Sequence, residues 1–135
     1  VHRLPAELLE RPVRVLVVGA GGTGSVVLSL LPMWHQTMVA LGHPGGLDVT
    51  MVDGDLVSTS NTVRQVFATV DVGKPKASTL VGRLNAFYGL AWGAVDEYLS
   101  RQHRLDGFDL VISCVDSRRA RALIHELVRK SDVYY

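Results

Sequence analysis

Two neighbouring stretches decide the reading of this chain: VRVLVVGAGGTGS from Val13 to Ser25, and VTMVDGDLVSTSNTVRQ from Val49 to Gln65. In the first, the nearly continuous apolar run Val13–Val18 has the composition of a parallel strand covered on both faces. It passes directly into Gly19, Gly21, Gly22 and Gly24 and then into an apolar segment of helical length. A strand, a glycine turn and a helix in that order place backbone N–H groups and the positive helix end against a phosphate. Glycine suits the turn because a Cβ blocks close approach. In the second stretch, a strand over Leu47–Val52 ends in Asp53, where an acidic residue accepts hydrogen bonds from ribose hydroxyls. A dinucleotide fingerprint places that residue about 20 positions on; here the gap is longer, so the first crossover is long. Asp55 is evenly balanced between a turn role and a functional one. Asn61, Arg64 and Gln65 follow, and a dehydrogenase has no obvious need of that arginine.

The alternation continues outward. Leu4–Glu10 reads as a short leading helix closed by Pro12. Pro32 is expected to kink or interrupt the helix over Ser25–Leu41, and Gly42–Gly46 is a turn. Residues 55–71 read as loop with short helical turns. Lys76–Tyr88 is helical, with Leu80, Leu84 and Phe87 or Tyr88 on one side and Gly89 as its stop. Trp92–Leu99 is expected to be a third strand and Phe108–Val115 a fourth. Asp116–Lys130 reads as a helix with Ala122, Leu123, Leu127 and Val128 inward. Val133–Tyr135 opens a fifth strand at which the chain stops, so the whole protein is expected to continue. Strands alternating with helices make this an α/β fold, a Rossmann-like doubly wound and mainly parallel sheet.

Composition narrows the function classes. The chain has 135 residues, 47% hydrophobic and 20% charged, enough for one domain with a real core. A net charge of +1 gives no electrostatic footprint for nucleic acid or an anionic membrane. The single cysteine, Cys114, fits a reducing compartment, and no apolar run is long enough to span a bilayer, so a cytoplasmic location is expected. Cys114 reads as core rather than nucleophile. The histidines show no ligand spacing and no CxxC occurs, so no zinc site is expected within these residues.

VDGDLVSTSNTVRQVF, DVGKPKA, RLNAF and DLVISCVDSRRAR, taken in order, resemble the successive motifs of the ThiF/MoeB family, which shares its adenylation fold with the ubiquitin-activating enzymes. GHPGGLDVTMVD and the WHQTM stretch resemble most closely the ThiF-like proteins of the PRTRC cassette of bacterial plasmids. The resemblance implies a single ThiF-like nucleotide-binding domain over residues 1–135 that lacks the C-terminal part of the family fold. It implies ATP on Gly19, Gly21, Gly22 and Gly24, ribose on Asp53, and phosphates facing Asn61 and Arg64, with Asp55 and Gln65 in the same pocket. Lys76 then neutralises the β- and γ-phosphates, with Lys74 left as solvated charge, and Asp116 holds Mg²⁺. The partner implied is a small ubiquitin-like or sulfur-carrier protein ending in Gly-Gly, and the assembly a homodimer.

Chemistry agrees with that residue set. A carboxylate attacking an α-phosphate needs no general base, because it is already ionised at neutral pH. Its difficulty is charge, which cations and a metal relieve. Arg64, Lys76 and Asp116 are the catalytic candidates on this reading. Asp116 could equally serve as the N-cap of the helix that follows. Arg118, Arg119 and Arg121 read as a solvated face, although Arg121 falls where the family often keeps an arginine. No RYxRQ-like stretch precedes the first strand, so Arg3 or Arg11 would have to supply any arginine lent to a partner's site. Two other functions fit parts of the chain. An NAD(P)-dependent oxidoreductase explains the glycines and Asp53 but not Asn61, Arg64 or Lys76. A non-catalytic nucleotide-binding module explains all of them except the need for turnover.

Overall fold

The computed structural model describes residues 5–135. The described elements run β1 (Val13–Val18), α1 (Gly22–Ala40), β2 (Leu47–Val52), α2 (Asn61–Arg64), α3 (Lys76–Tyr88), β3 (Gly93–Val95), β4 (Leu110–Ser113) and α4 (Arg118–Val128). The strands form one sheet in the order β3-β2-β1-β4, every pair parallel. Tyr134 adds one parallel bridge to Leu110, so the expected fifth strand begins on the β4 edge.

β1 is central because its side chains are apolar on both faces. Val15 and Val17 pack under α1 and α3 with Leu28, Leu31, Val49, Met51 and Leu80. Leu16 and Val18 pack on the other side with Val52, Val111, Ile124 and Leu127, under α4. Helices therefore cover both faces, as the doubly wound reading requires. β2 and β3 lie to one side of β1 and β4 to the other. The carboxyl ends of β1 and β4 thus frame the crevice at which the strand order reverses, the place where open α/β sheets bind ligands.

Several boundaries move from their sequence-based positions, each for a local reason. The expected interruption at Pro32 does not occur; α1 runs unbroken from Gly22 to Ala40. Pro32 forfeits one helical hydrogen bond, but its ring is fully buried beside Leu28 and Leu31 on the sheet side, and that burial offsets the loss. The third strand shrinks to Gly93–Val95: before it, the Asn85 side chain takes both backbone groups of Trp92, donating to its carbonyl at 2.9 Å and accepting from its N–H at 3.0 Å, and after it the Asp96 carboxylate accepts the Ser78 N–H at 3.0 Å and the chain leaves the sheet. Trp92 is buried with its indole N–H on the Leu47 carbonyl at 3.2 Å. In α4 the inward residues are Ile124 and Leu127 with Leu123 half-buried, whereas Ala122 is exposed, so the buried stripe is shifted from the expected one. The leading helix is a 3₁₀ turn over Ala6–Leu9, and Leu4 lies outside the described residues. Phe87 is exposed and Tyr88 half-buried, and Gly89 ends α3 in the left-handed conformation at φ 67°.

Candidate functional site

The glycine turn is shaped by its own packing at two positions and left open at two others. Gly19 has φ 96°, and a Cβ there would stand 3.1 Å from the Cys114 carbonyl oxygen. Gly24 is more constrained: its Cβ would lie 1.7 Å from the carbonyl oxygen of Gly19. That close approach seats the first turn of α1 against the end of β1. At Gly21 a Cβ would meet nothing within 4 Å, and at Gly22 only the Arg64 carbonyl oxygen at 3.9 Å. The protein's packing does not require glycine at 21 or 22; the free space in front of them suits a phosphate approaching the backbone.

A cleft of about 600 Å³ opens there. Gly19, Gly21, Gly22, Asp53, Asp55, Asn61, Arg64, Gln65, Lys76 and Asp116 all line it. Of the residues given a place in the nucleotide site from the sequence, only Gly24 does not; it is buried beneath the turn, where its place is structural.

The β2 side of the cleft is tied together. Asp53 accepts the Ala20 N–H at 2.5 Å on one carboxylate oxygen and the Asp55 N–H at 2.7 Å on the other, fastening the glycine turn to the end of β2. Asp55 in turn meets Lys76. The ammonium donates to Oδ2 of Asp55 at 3.1 Å, and the Lys76 side chain is 8% exposed. An antiparallel bridge between Leu56 and Pro75 and a hydrogen bond from the Lys76 N–H to the Asp55 carbonyl hold the two segments side by side. Tyr98 donates its hydroxyl to the other oxygen of Asp55. That bond, with the Lys76 ammonium, holds the Asp55 carboxyl below the usual range, and the bond to Asp55 together with its negative charge pushes the Tyr98 hydroxyl up. Its ring rests on Gly54, where a Cβ would come within 2.7 Å of it. Asn61 is buried, its Oδ1 taking the N–H and hydroxyl of Ser58, which leaves its amide nitrogen for the cleft.

Two of the cleft residues are open. Arg64 and Asp116 are both exposed and make no ion pair or side-chain hydrogen bond among the described residues. Ser117, not Asp116, caps α4: its Oγ accepts the Ala120 N–H at 3.1 Å. The capping alternative for Asp116 therefore falls away, and its carboxylate faces the cleft. Arg121 is exposed but not merely solvated, since its Nε donates to the Val115 carbonyl at 3.2 Å and pins the loop that carries Asp116. Gln65 has a buried Oε1 that finds no donor among the described residues. Cys114 lies at the cleft floor, and burial pushes its thiol up, which suits a core residue. Arg11 is committed within its own chain to a two-pronged pair with Asp109 at 2.7 Å, and Arg3 lies outside the described residues. Lys74 is exposed, 3.9 Å from Asp71.

Glu97, Tyr98 and Leu99 also line the cleft, and sequence reasoning missed them. They follow β3 and reach the site because β3 lies beside β2; the one local hint was Gly54, which leaves room for a ring. Among the described residues no three His, Cys, Asp or Glu side chains gather as metal ligands. A magnesium ion does not need such a cage: it takes one or two carboxylates and completes its shell with phosphate oxygens and water. Asp116, unengaged and beside the open glycines, fits that requirement.

A family model described as the ThiF family matches residues 7–134. Adenylyltransferase and sulfurtransferase UBA4 of Yarrowia lipolytica is 34% identical over 127 residues, covering 91% of this chain and 30% of that protein. UBA4 of Eremothecium gossypii is 33% identical over 129 residues, covering 92% of this chain and 27% of that protein. Among solved structures, the E. coli tRNA N6-threonylcarbamoyladenosine dehydratase TcdA is 27% identical with a TM-score of 0.69, covering 87% of this chain and 48% of that one. TcdA has been solved with AMP and with ATP. The chain thus spans less than a third of these two curated relatives and about half of TcdA.

Proposed function

This chain belongs to the ThiF family, and from that premise we propose that it supplies the nucleotide site of an ATP-dependent adenylyltransferase, which activates the C-terminal carboxylate of a small ubiquitin-like or sulfur-carrier protein ending in Gly-Gly. The observation that carries this reading is the meeting of Arg64, Lys76 and Asp116 with the glycine turn in one cleft. Two cations and a free carboxylate around a phosphate-sized space suit phosphoryl chemistry; hydride transfer has no use for them. The curated relatives named above are adenylyltransferases as well, so the oxidoreductase reading loses its ground.

In the reaction, an oxygen of the acceptor's carboxylate bonds to the α-phosphorus and the bond to the bridging oxygen of pyrophosphate breaks, leaving an acyl adenylate. The carboxylate arrives ionised, so no residue removes a proton. Asp53 orients the ribose through oxygens already fixed by the Ala20 and Asp55 amides. The amides around Gly21 and Gly22 and the start of α1 receive phosphate oxygens. Lys76, held by Asp55, faces the charge that leaves with pyrophosphate, and the exposed Arg64 swings in. Asp116 would hold Mg²⁺, which, when bound, neutralises phosphate charge. Preset dipoles and charges of this kind are the largest catalytic resource of such sites.

The nucleotide site lies within residues 7–134, the stretch that the family model matches. The PRTRC-like wording at Gly42–Asp53 makes a ubiquitin-like protein of the same plasmid cassette the natural acceptor, in a bacterial cytoplasm, with the enzyme working as a homodimer. ATP–pyrophosphate exchange with that acceptor tests the proposal. Exchange that depends on acceptor, on Arg64 and on Lys76 is expected. MgATP binding without any exchange in the presence of the acceptor sinks the catalytic reading and leaves a nucleotide-binding module; tight NADH binding sinks both.

A further inference from the structure

Beyond β2 and β3 the chain runs on in step. The Asp53 N–H donates to the Val95 carbonyl at 3.1 Å, and the residues that follow in both segments reach the cleft. There Asp55 meets two donors from different elements. Lys76, the first residue of α3, donates to Oδ2 at 3.1 Å, and the Tyr98 hydroxyl donates to Oδ1. The segment that carries Tyr98 is anchored to the same helix, because the Asp96 carboxylate accepts the Ser78 N–H at 3.0 Å. Packing does not account for Tyr98. It is 69% exposed, so its ring gains little from burial. It nonetheless dictates its neighbour. Gly54 is outside the left-handed region, so its backbone does not call for glycine, yet a Cβ there would come within 2.7 Å of the Tyr98 ring. Glycine at 54 makes room for the ring, and the ring delivers its hydroxyl to Asp55.

What the hydroxyl does follows from the charge of Asp55. The Asp55 side chain is 48% exposed and lines the cleft. Held by Lys76 at one oxygen alone, a half-exposed carboxylate can rotate, and its second oxygen would meet an incoming polyanion as uncovered negative charge. The Tyr98 hydroxyl covers that oxygen and stops the rotation, which in turn fixes the direction of the Lys76 ammonium. Tyr98 stays a donor throughout neutral pH, since its bond to Asp55 and the charge of that residue push its hydroxyl up. We propose that Tyr98 is a positioning residue, whose hydroxyl sets the Lys76 ammonium, through Asp55, for the phosphate charge that departs. The positioning is a property of the nucleotide-free protein; its effect on turnover rests on the adenylation proposed above.

Tyr98→Phe keeps the ring and removes only the hydroxyl. In the nucleotide-free protein, NMR of the Lys76 ammonium reads its hydrogen exchange with water, which is expected to quicken by about tenfold in Tyr98→Phe, the scale of one lost hydrogen bond. In ATP–pyrophosphate turnover with the acceptor, kcat is expected to fall by about tenfold while KM for ATP stays within about twofold of the wild type. Asp55→Ala removes the intermediary. On that background Tyr98→Phe should change kcat no further, the coupling expected of groups that act as one unit. Hydrogen exchange at Lys76 that Tyr98→Phe leaves unchanged overturns the proposal, whatever the activity. So does quickened hydrogen exchange with kcat unaltered. A kcat loss that persists in full on the Asp55→Ala background also overturns it, and makes Tyr98 a direct ligand contact instead. A wild type without any ATP–pyrophosphate turnover sinks the adenylation reading alone, and the ammonium measurement then decides the role of Tyr98 by itself.

Discussion

The two walls of the cleft carry the same kinds of side chain in opposite states. On the β2 side, Asp53, Asp55 and Lys76 are fixed by one another and by the Ala20 amide, and Tyr98 closes the network from β3. By contrast, Arg64 at the end of α2 and Asp116 after β4 stand exposed, without partners among the described residues. The difference is one of prepayment in entropy. A lysine that is almost wholly buried has already given up its rotamer freedom and its water, and Asp55 stands beside it as counter-charge at 3.1 Å. An exposed arginine keeps both until a ligand supplies the counter-charge. One wall therefore belongs to the fold as much as to the site, and the other belongs to the site alone.

Substitutions should separate the walls. Gly24→Ala is expected to have the largest effect, since its Cβ would overlap the Gly19 carbonyl; a loss of more than about 3 kcal/mol, read by urea unfolding, exceeds ordinary overpacking because backbone must move. Gly21→Ala, with open space around it, should unfold like the wild type while binding MgATP poorly.

Next come the cations. Lys76→Ala and Arg64→Ala are each expected to lower ATP–pyrophosphate exchange by about 10²–10³, the scale for one lost transition-state contact. Only Lys76→Ala should also lower stability, by about 1–2 kcal/mol, whereas Arg64→Ala and Asp116→Asn should stay within about 0.5 kcal/mol of the wild type. Equal melting losses for Lys76→Ala and Arg64→Ala would erase the distinction between the walls. Ser117→Ala is a smaller probe, costing about 1 kcal/mol as a lost N-cap. If Asp116 were the cap after all, Asp116→Asn would leave the helix start intact and Ser117→Ala would cost nothing.

The gentlest test is pH. The Ala68 amide and the Arg83 guanidinium hold the Asp71 carboxyl below its usual range, and Arg11 brings that of Asp109 down to about 2. Both are lower in the folded state, so the stability they lend is complete above the ordinary carboxylate pKa of about 4 and drains away as pH falls from there toward 2. Thermal unfolding followed across that range should show the decline, and Asp109→Asn should flatten part of it. Asp71 and Asp109 lie outside the cleft, so nucleotide binding above pH 5 should not follow this decline.

Periodicity and turn chemistry were enough to read the alternation of strands and helices, because each depends on neighbours a few residues away. Val13–Val18, Leu47–Val52 and the stop at Gly89 are local facts. So was the composition of the cleft: glycines after the first strand, an aspartate after the second, and cations where neither packing nor a turn needed them. Pro32 shows where local reasoning fails. Its cost lies in one missing hydrogen bond, but whether the helix breaks depends on how much buried surface Leu28, Pro32 and Leu31 share with the sheet. The cap of α4 is similar. Asp116 and Ser117 are adjacent and both able to cap, and the choice fell on the one whose oxygen meets the Ala120 amide.

By itself, then, the sequence determined the strand–glycine–helix frame and named residues that line one cleft, since these follow from short-range sterics and from the order of glycines and charged residues along the chain. The tertiary structure alone decided which of those residues are preset and which are free. It also brought Tyr98 from β3 to Asp55 and committed Arg11 to Asp109. Those outcomes depend on which strand lies beside which, a matter of sheet order that no local spacing encodes.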